Sequence, residues 1–228
     1  LINKFPEILQ FSDMNDIFIS VCEFGNIEIA KFLINIRPDI NFLINNHEII
    51  RLVSINGHLN ILKWLFEIEP NIMKNKSFLE KDFNIICAQS DSCEIIGFLS
   101  NYIDLNKEED LSTLKKGLFG ASRNNNVKII DFLVSLKSDF FMSNIEEFFI
   151  EASKCDNLEV CKFLIKKLEL SNRKIDIKKF LFTENNYLVG VEVIKFFINL
   201  EIISEKDIDF KKYLIIYSSF EQIEYILS

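Results

Sequence analysis

Apolar residues recur along this chain in an eight-position phrase that is written seven times. It reads IEIAKFLI (27–34), LNILKWLF (59–66), CEIIGFLS (93–100), VKIIDFLV (127–134), LEVCKFLI (158–165), VEVIKFFI (191–198) and FEQIEYIL (220–227). In the first copy Ile27, Ala30, Leu33 and Ile34 fall at i, i+3, i+6 and i+7, a spacing that puts them on one face of a helix. Successive copies start at 27, 59, 93, 127, 158, 191 and 220, so the intervals are 32, 34, 34, 31, 33 and 29 residues. A period of roughly 33 residues predicts a stacked array, in which each unit buries its apolar face on its neighbours.

Polar residues between the phrases predict how each unit turns. Asn26, His58, Ser92, Asn126, Asn157, Gly190 and Ser219 stand just before the phrase, and all but His58 are types favoured as helix N-caps. Glu is the second phrase residue in five copies (Glu28, Glu94, Glu159, Glu192, Glu221), where it suits the positive end of the helix dipole. One position earlier lie Gly25, Gly57, Asp91, Asn125, Asp156, Val189 and Ser218, mostly residues that accept the left-handed conformation ending a helix. A preceding helix is therefore predicted to end where the phrase helix begins. Its segments are FISVCEF (18–24), IRLVSIN (50–56), NIICAQS (84–90), LFGASRN (118–124) and FIEASKC (149–155), with small residues at the centre: Cys22, Ser54, Ala88, Ser122 and Ser153. Small side chains there let helices approach closely. The segments FTENNYL (182–188) and LIIYSS (214–219) lack this pattern, and the last two repeats are expected to be the least stable. After the phrase, Arg37-Pro38-Asp39-Ile40-Asn41, Glu69-Pro70-Asn71-Ile72 and Lys137-Ser138-Asp139-Phe140 read as short extended turn pieces.

The expected fold is therefore all-α: a solenoid of about seven helix-turn-helix repeats with short projecting turns. A flank or partial repeat covers 1–14. Repeats follow at about 15–44, 45–77, 78–110, 111–142, 143–175, 176–208 and 209–228.

Composition narrows the function classes. The 228-residue chain is 49% hydrophobic with only 6 Gly and 3 Pro, which fits short helices joined by tight turns. A net charge of −8 leaves no basic footprint for nucleic acid, since the pairs Lys166-Lys167, Lys178-Lys179 and Lys211-Lys212 are isolated among acids. The odd set Cys22, Cys87, Cys93, Cys155 and Cys161 contains no CxxC pair, so neither a disulfide framework nor a zinc site is expected. All but Cys155 fall at apolar repeat positions, and reduced thiols point to an intracellular setting. No apolar run reaches the ~18–20 residues of a membrane span, and LINKFPEILQF has no signal-peptide pattern. A first residue other than Met is read as the mark of a fragment of a longer protein.

The repeat resembles the ankyrin repeat. Asn56-Gly57-His58-Leu59-Asn60-Ile61-Leu62-Lys63-Trp64-Leu65 is similar to that family's GHLEIVKLL segment, Gly25-Asn26-Ile27-Glu28-Ile29 is a second match, and Pro38-Asp39-Ile40-Asn41 echoes GADVN. The family's TPLH opening is absent at 16–19, 48–51 and 116–119, so its threonine and histidine ties are missing and apolar stacking is expected to carry more of the array. The Ile/Asn/Lys-rich, degenerate character resembles arrays of giant DNA viruses of amoebae and of AT-rich protists. The resemblance implies a non-enzymatic protein–protein recognition scaffold, acting as a monomer in the cytoplasm (the host cytoplasm for a viral protein). It implies no cofactor, metal, small-molecule substrate, nucleic acid or membrane. A targeting segment of a longer enzyme and a helical-repeat nucleic-acid binder are the alternatives.

No residue set carries catalytic chemistry. By the family's pattern His58 sits at the repeat turn in a capping or packing role, while His47 is expected on a projecting turn, and neither lies in a zinc-hydrolase motif. Glu108-Glu109-Asp110 reads as a solvated helix start. Trp64 is expected in a core or inter-repeat role, and the phrase phenylalanines Phe32, Phe98, Phe132, Phe163 and Phe196 in the core. Carrying the family's concave face over by position names Glu23, Phe24, Asn45, His47, Ile55, Asn56, Lys81, Gln89, Lys115, Arg123, Asn124, Glu146 and Lys154 as partner-binding residues, with Asn15, Ser90 and Cys155 beside them. Phe24 and Ile55, near Arg123, are the expected hot spots, because buried apolar anchors dominate protein interfaces.

Overall fold

The computed structural model describes residues 14–41, 44–73, 77–171, 176 and 189–204, without the side chains of 44–47, 73, 77 and 78. The last phrase (220–227), the segments 182–188 and 214–219, and the flank 1–13 lie outside the described residues. Among the described residues every regular element is helical. The chain forms two compact units, Leu1–Thr113 and Leu114–Ser228.

In the first unit three hairpins follow one another: α1 (Met14–Glu23) with α2 (Ile27–Ile36), α3 (Ile44–Ile55) with α4 (Leu59–Ile68), and α5 (Ser77–Gln89) with α6 (Cys93–Ser100). Helix α1 packs beside α3, and α3 beside α5. The helix α7 (Glu108–Arg123) spans the boundary of the units. Beyond it come α8 (Val127–Leu136), α9 (Ser138–Lys154), α10 (Leu158–Leu170) and α11 (Val191–Asn199), with α10 packed on α8, α9 and α11.

The hairpin turns sit where the polar punctuation predicts. Gly25 and Gly57 have φ +81°, Asn125 +56° and Asp156 +57°. At each, the residue that follows donates its N–H five residues back: Asn26 to Val21 (3.0 Å), His58 to Val53 (3.0 Å), Asn126 to Ala121 (2.9 Å) and Asn157 to Ala152 (3.0 Å). These bonds satisfy carbonyls that a helix end otherwise leaves open. Asp91 and Val189 are exceptions, with no left-handed residue at either. In the α5–α6 turn Ser90 Oγ instead accepts from the Ser92 N–H at 3.3 Å.

The phrase buries its third, fourth and seventh positions. Ile61, Leu62 and Leu65 are fully buried, as are Ile95, Ile96 and Leu99, and Val160, Cys161 and Leu164. Cys22, Ser54, Ser122 and Ser153 are also fully buried on the preceding helices. The hydroxyls of Ser54 and Ser122 have no hydrogen-bond partner, so small volume and not polarity explains serine at these positions.

Three expectations change. The phrase phenylalanines are not core: Phe32 is exposed and Phe98, Phe132, Phe163 and Phe196 are half-buried. At 100° per residue the sixth position falls at the edge of the stripe formed by positions three, four, seven and eight. Trp64 is half-buried and takes the inter-repeat role expected of it, its ring meeting Phe18 of the preceding hairpin at 6.2 Å. Ser138-Asp139-Phe140 is not extended but opens α9, leaving Lys137 alone between two helices. No proline stands at 138 as it does at 38 and 70, and Asp139 favours a helix start. Pro70–Met73 forms a 3₁₀ turn where an extended piece was expected.

Candidate functional site

The polar residues of the turns reach across from one hairpin to the next. The His58 ring donates from Nε2 to the Glu23 carbonyl at 2.9 Å. Asn157 Nδ2 donates to the Ser122 carbonyl at 2.7 Å; within the first hairpin, Asn15 Oδ1 accepts from the Asn41 N–H at 2.9 Å and ties the start of α1 to the segment after α2. Asn125 Oδ1 accepts from the Val160 N–H at 3.2 Å, and Asp156 Oδ1 from the Val193 N–H at 3.1 Å. Val160 and Val193 are each the third residue of their helix, so the left-handed residue of one hairpin caps the second helix of the next. Asn157 and Gly190, the local N-cap positions, supply no such side-chain bond. Two helices cap themselves instead, Ser92 accepting from the Ile95 N–H and Asn126 from the Ile129 N–H, both at 3.3 Å, whereas Asn26 and His58 give α2 and α4 no side-chain cap. These ties replace part of what the missing TPLH residues were expected to supply, so apolar stacking does not hold the hairpins together alone.

The close approach has a steric counterpart. A Cβ on Gly25 would lie 2.6 Å from the His58 ring, and one on Gly190 would overlap the Asp156 side chain. Glycine is needed at Gly190 for space alone, and at Gly25 for both space and φ.

Of the predicted binding residues, Glu23, Phe24, Ile55, Asn56, Gln89, Arg123, Asn124 and Lys154 lie at or just past the C-terminal ends of α1, α3, α5, α7 and α9, while Lys81, Lys115 and Glu146 lie within α5, α7 and α9. Phe24 is 76% exposed, a large apolar side chain standing in solvent beside half-buried Glu23. Ile55 is half-buried and so offers less apolar surface than expected. Asn56 and Asn124 are exposed, but each uses its Nδ2 to cap its own helix, on the Leu52 carbonyl (2.9 Å) and the Gly120 carbonyl (3.1 Å). Asn45 and His47 lie in the first turn of α3 and not on a projecting turn, with side chains outside the described residues. Lys81, Gln89 and Lys154 are exposed, and Glu146 is half-buried.

Two of the cations are already engaged. Lys115 pairs with Glu147 at 2.8 Å and Arg123 with Glu151 at 2.6 Å, both bridging α7 to α9. Exposed pairs of this kind contribute only about 0–1 kcal/mol. Their effect is on recognition: an acidic partner group must compete with Glu151 for Arg123. Phe24 and Ile55 belong to one compact unit and Arg123 to the other.

No group of three metal-ligating side chains occurs among the described residues, and no described helix is long and apolar enough to cross a membrane. Burial pushes the Cys22 and Cys161 thiols up to about 12 and raises Cys87 well above its ordinary value. Cys155 is exposed, and partial burial together with the Glu151 carboxylate raises it too. Such thiols are protonated at neutral pH and poor nucleophiles. The carboxylate of Asp110 serves the backbone, accepting the Asp104 N–H at 2.7 Å.

Comparison with protein-family models, curated proteins and solved structures finds no match to this chain.

Sequence reasoning placed the turn residues but assigned Asn157 to its own helix and left Asn125 and Asp156 as conformational devices. Their similar spacings of 35 and 37 residues to Val160 and Val193, slightly more than one repeat, were the available signal. It also passed over exposed Ile17 and Ile29 and expected exposed Phe32 in the core.

Proposed function

We propose that this chain is an ankyrin-like α-solenoid that recognises another protein and has no catalytic activity of its own. The observation that carries the reading is the recurring helix, left-handed turn, helix unit at Gly25, Gly57, Asn125 and Asp156, tied to its neighbour through turn side chains. Such an array repeats one surface many times over, and a repeated surface suits extended recognition of a macromolecule. Within each unit the ends of successive first helices run side by side, presenting Glu23, Phe24, Ile55, Asn56 and Gln89 in one, and Arg123, Asn124 and Lys154 in the other. Mixed charge with an exposed aromatic fits a protein partner better than a phosphate backbone. The buried, protonated thiols fit a reducing, intracellular setting, with the chain monomeric in the cytoplasm.

The test is capture from cell lysate followed by reconstitution of the pair from purified components. Binding at one-to-one stoichiometry is expected, weakened at least about tenfold by Phe24→Ala with Ile55→Ala, as truncating a hot spot requires. Equal affinity of wild type and double variant would refute this placement of the face. Failure to reconstitute any captured protein would refute the scaffold reading.

A further inference from the structure

The C-terminal ends of α1, α3 and α5 differ in charge from those of α7 and α9. Glu23, Ile55, Gln89, Arg123 and Lys154 hold one repeat position, each two residues ahead of its turn residue Gly25, Gly57, Asp91, Asn125 or Asp156. A helix C-terminus carries partial negative charge, which a cation in the last turn offsets. Arg123 and Lys154 serve α7 and α9 in this way, whereas α1, α3 and α5 have no basic residue in their last turns. Each of the three is the first helix of its hairpin, and α1 packs beside α3 and α3 beside α5, so their C-termini share one face of the first unit. Glu23 adds a full negative charge there, and its carboxylate pairs with no cation among the described residues. Arg51 and Lys81 are the only Lys or Arg on these helices. Arg51 is paired with Glu48 at 3.2 Å, and Lys81 stands about 12 Å along α5 from Gln89.

The charge of the whole unit runs the same way. Of the 34 Asp and Glu, 17 lie in each unit; of the 26 Lys and Arg, 9 lie in the first and 17 in the second. The net charge of −8 therefore belongs to the first unit, and the second is neutral. Two apolar side chains complete the surface: Phe24, 76% exposed next to Glu23, and half-buried Ile55 at the end of α3. A guanidinium suits both neighbours, since its planar fork pairs with a carboxylate and its face stacks on an aromatic ring. We propose, on the scaffold reading, that this face of the first unit takes a basic segment of the partner polypeptide, with an arginine set against Glu23 and Phe24 and an apolar side chain on Ile55. An acidic segment meets repulsion from Glu23 and from three helix C-termini that no last-turn cation offsets.

The probe is a random peptide library displayed on phage, selected against the full chain and in parallel against Glu23→Lys and Phe24→Ala. The expected result is enrichment of peptides that carry Arg beside apolar residues. A synthetic copy of an enriched peptide should bind either variant at least about tenfold more weakly than the wild type, and more weakly as salt rises. Glu23→Lys places a cation where α7 and α9 have theirs, so it should keep the wild-type unfolding midpoint and shift the enriched peptides towards Asp and Glu. Glu23→Gln, which removes the charge and keeps the shape, should give an intermediate affinity. Enrichment of acidic or uncharged peptides on the wild type, or of none, overturns the proposal. So does equal affinity of an Arg-bearing peptide for wild type, Glu23→Gln and Glu23→Lys. A partner reconstituted through a neutral or acidic segment at Glu23–Gly25 overturns it and leaves the scaffold reading standing. Arg-bearing peptides bound at Glu23 when no captured protein reconstitutes support the chemistry of the face and refute the scaffold reading alone.

Discussion

Replacing Asp156 with alanine removes two separate contributions at the α9–α10 turn. Asp156 holds φ +57°, which costs an ordinary L-residue about 1–2 kcal/mol and Asp less. Its Oδ1 also caps α11 by accepting the Val193 N–H at 3.1 Å, and loss of a cap costs about 1 kcal/mol. Alanine should therefore destabilise the α10–α11 packing by about 2–3 kcal/mol. Glycine keeps the backbone conformation and loses only the cap, so it should cost about 1 kcal/mol. Asparagine keeps both, and should stay within about 0.5 kcal/mol of the wild type. The assay is native-state hydrogen exchange at the Val193 amide, backed by urea unfolding followed by circular dichroism. A loss of 1 kcal/mol appears as an about fivefold fall in protection, and 2 kcal/mol as about thirtyfold. Asparagine and alanine variants with equal protection at Val193 would refute the cap. Equal losses for alanine and glycine would refute the backbone contribution.

Gly25→Ala should cost more than Gly57→Ala, although both replace glycine at φ +81°. Only the Gly25 Cβ meets the His58 ring, at 2.6 Å, while the Gly57 Cβ meets open space; thermal unfolding of the two variants measures the difference. The exposed Asp39 carboxyl, hydrogen-bonded to Arg37 at 2.8 Å, is held down at about 2 from an ordinary 3.8, so its titration by NMR should move up in Arg37→Gln. Because the folded value is the lower one, its contribution to stability is full above the ordinary value and vanishes as pH falls towards 2. Alkylation at mildly alkaline pH, read by mass spectrometry, should reach Cys155 first and leave Cys22, Cys87 and Cys161 unlabelled until the chain unfolds.

The hairpin turns were legible because Gly, Asn and Asp have a conformational reason to stand there, and Gly25, Gly57, Asn125 and Asp156 adopt the left-handed φ that this reason requires. The start of α9 was not, since Ser138-Asp139 serves a turn and a helix N-terminus equally well. Nor was the trans capping by Asn125 and Asp156 legible, because it depends on how one hairpin seats on the next, and local propensity carries no record of that. The phrase phenylalanines misled for a related reason: apolar type reports a preference for burial, while the sixth helical position lies at the stripe's edge. At the candidate face, position picked out exposed Phe24, but the pairing of Arg123 with Glu151 needed three dimensions.

The scaffold account is tested most directly by the footprint of the reconstituted partner in hydrogen exchange. It predicts slowed exchange confined to the turns and first-helix ends around Glu23–Gly25, Ile55–Gly57 and Arg123–Asn125, with no turnover of the partner. Protection confined to α2, α4, α6, α8 or α10, or chemical change in the partner, would contradict it.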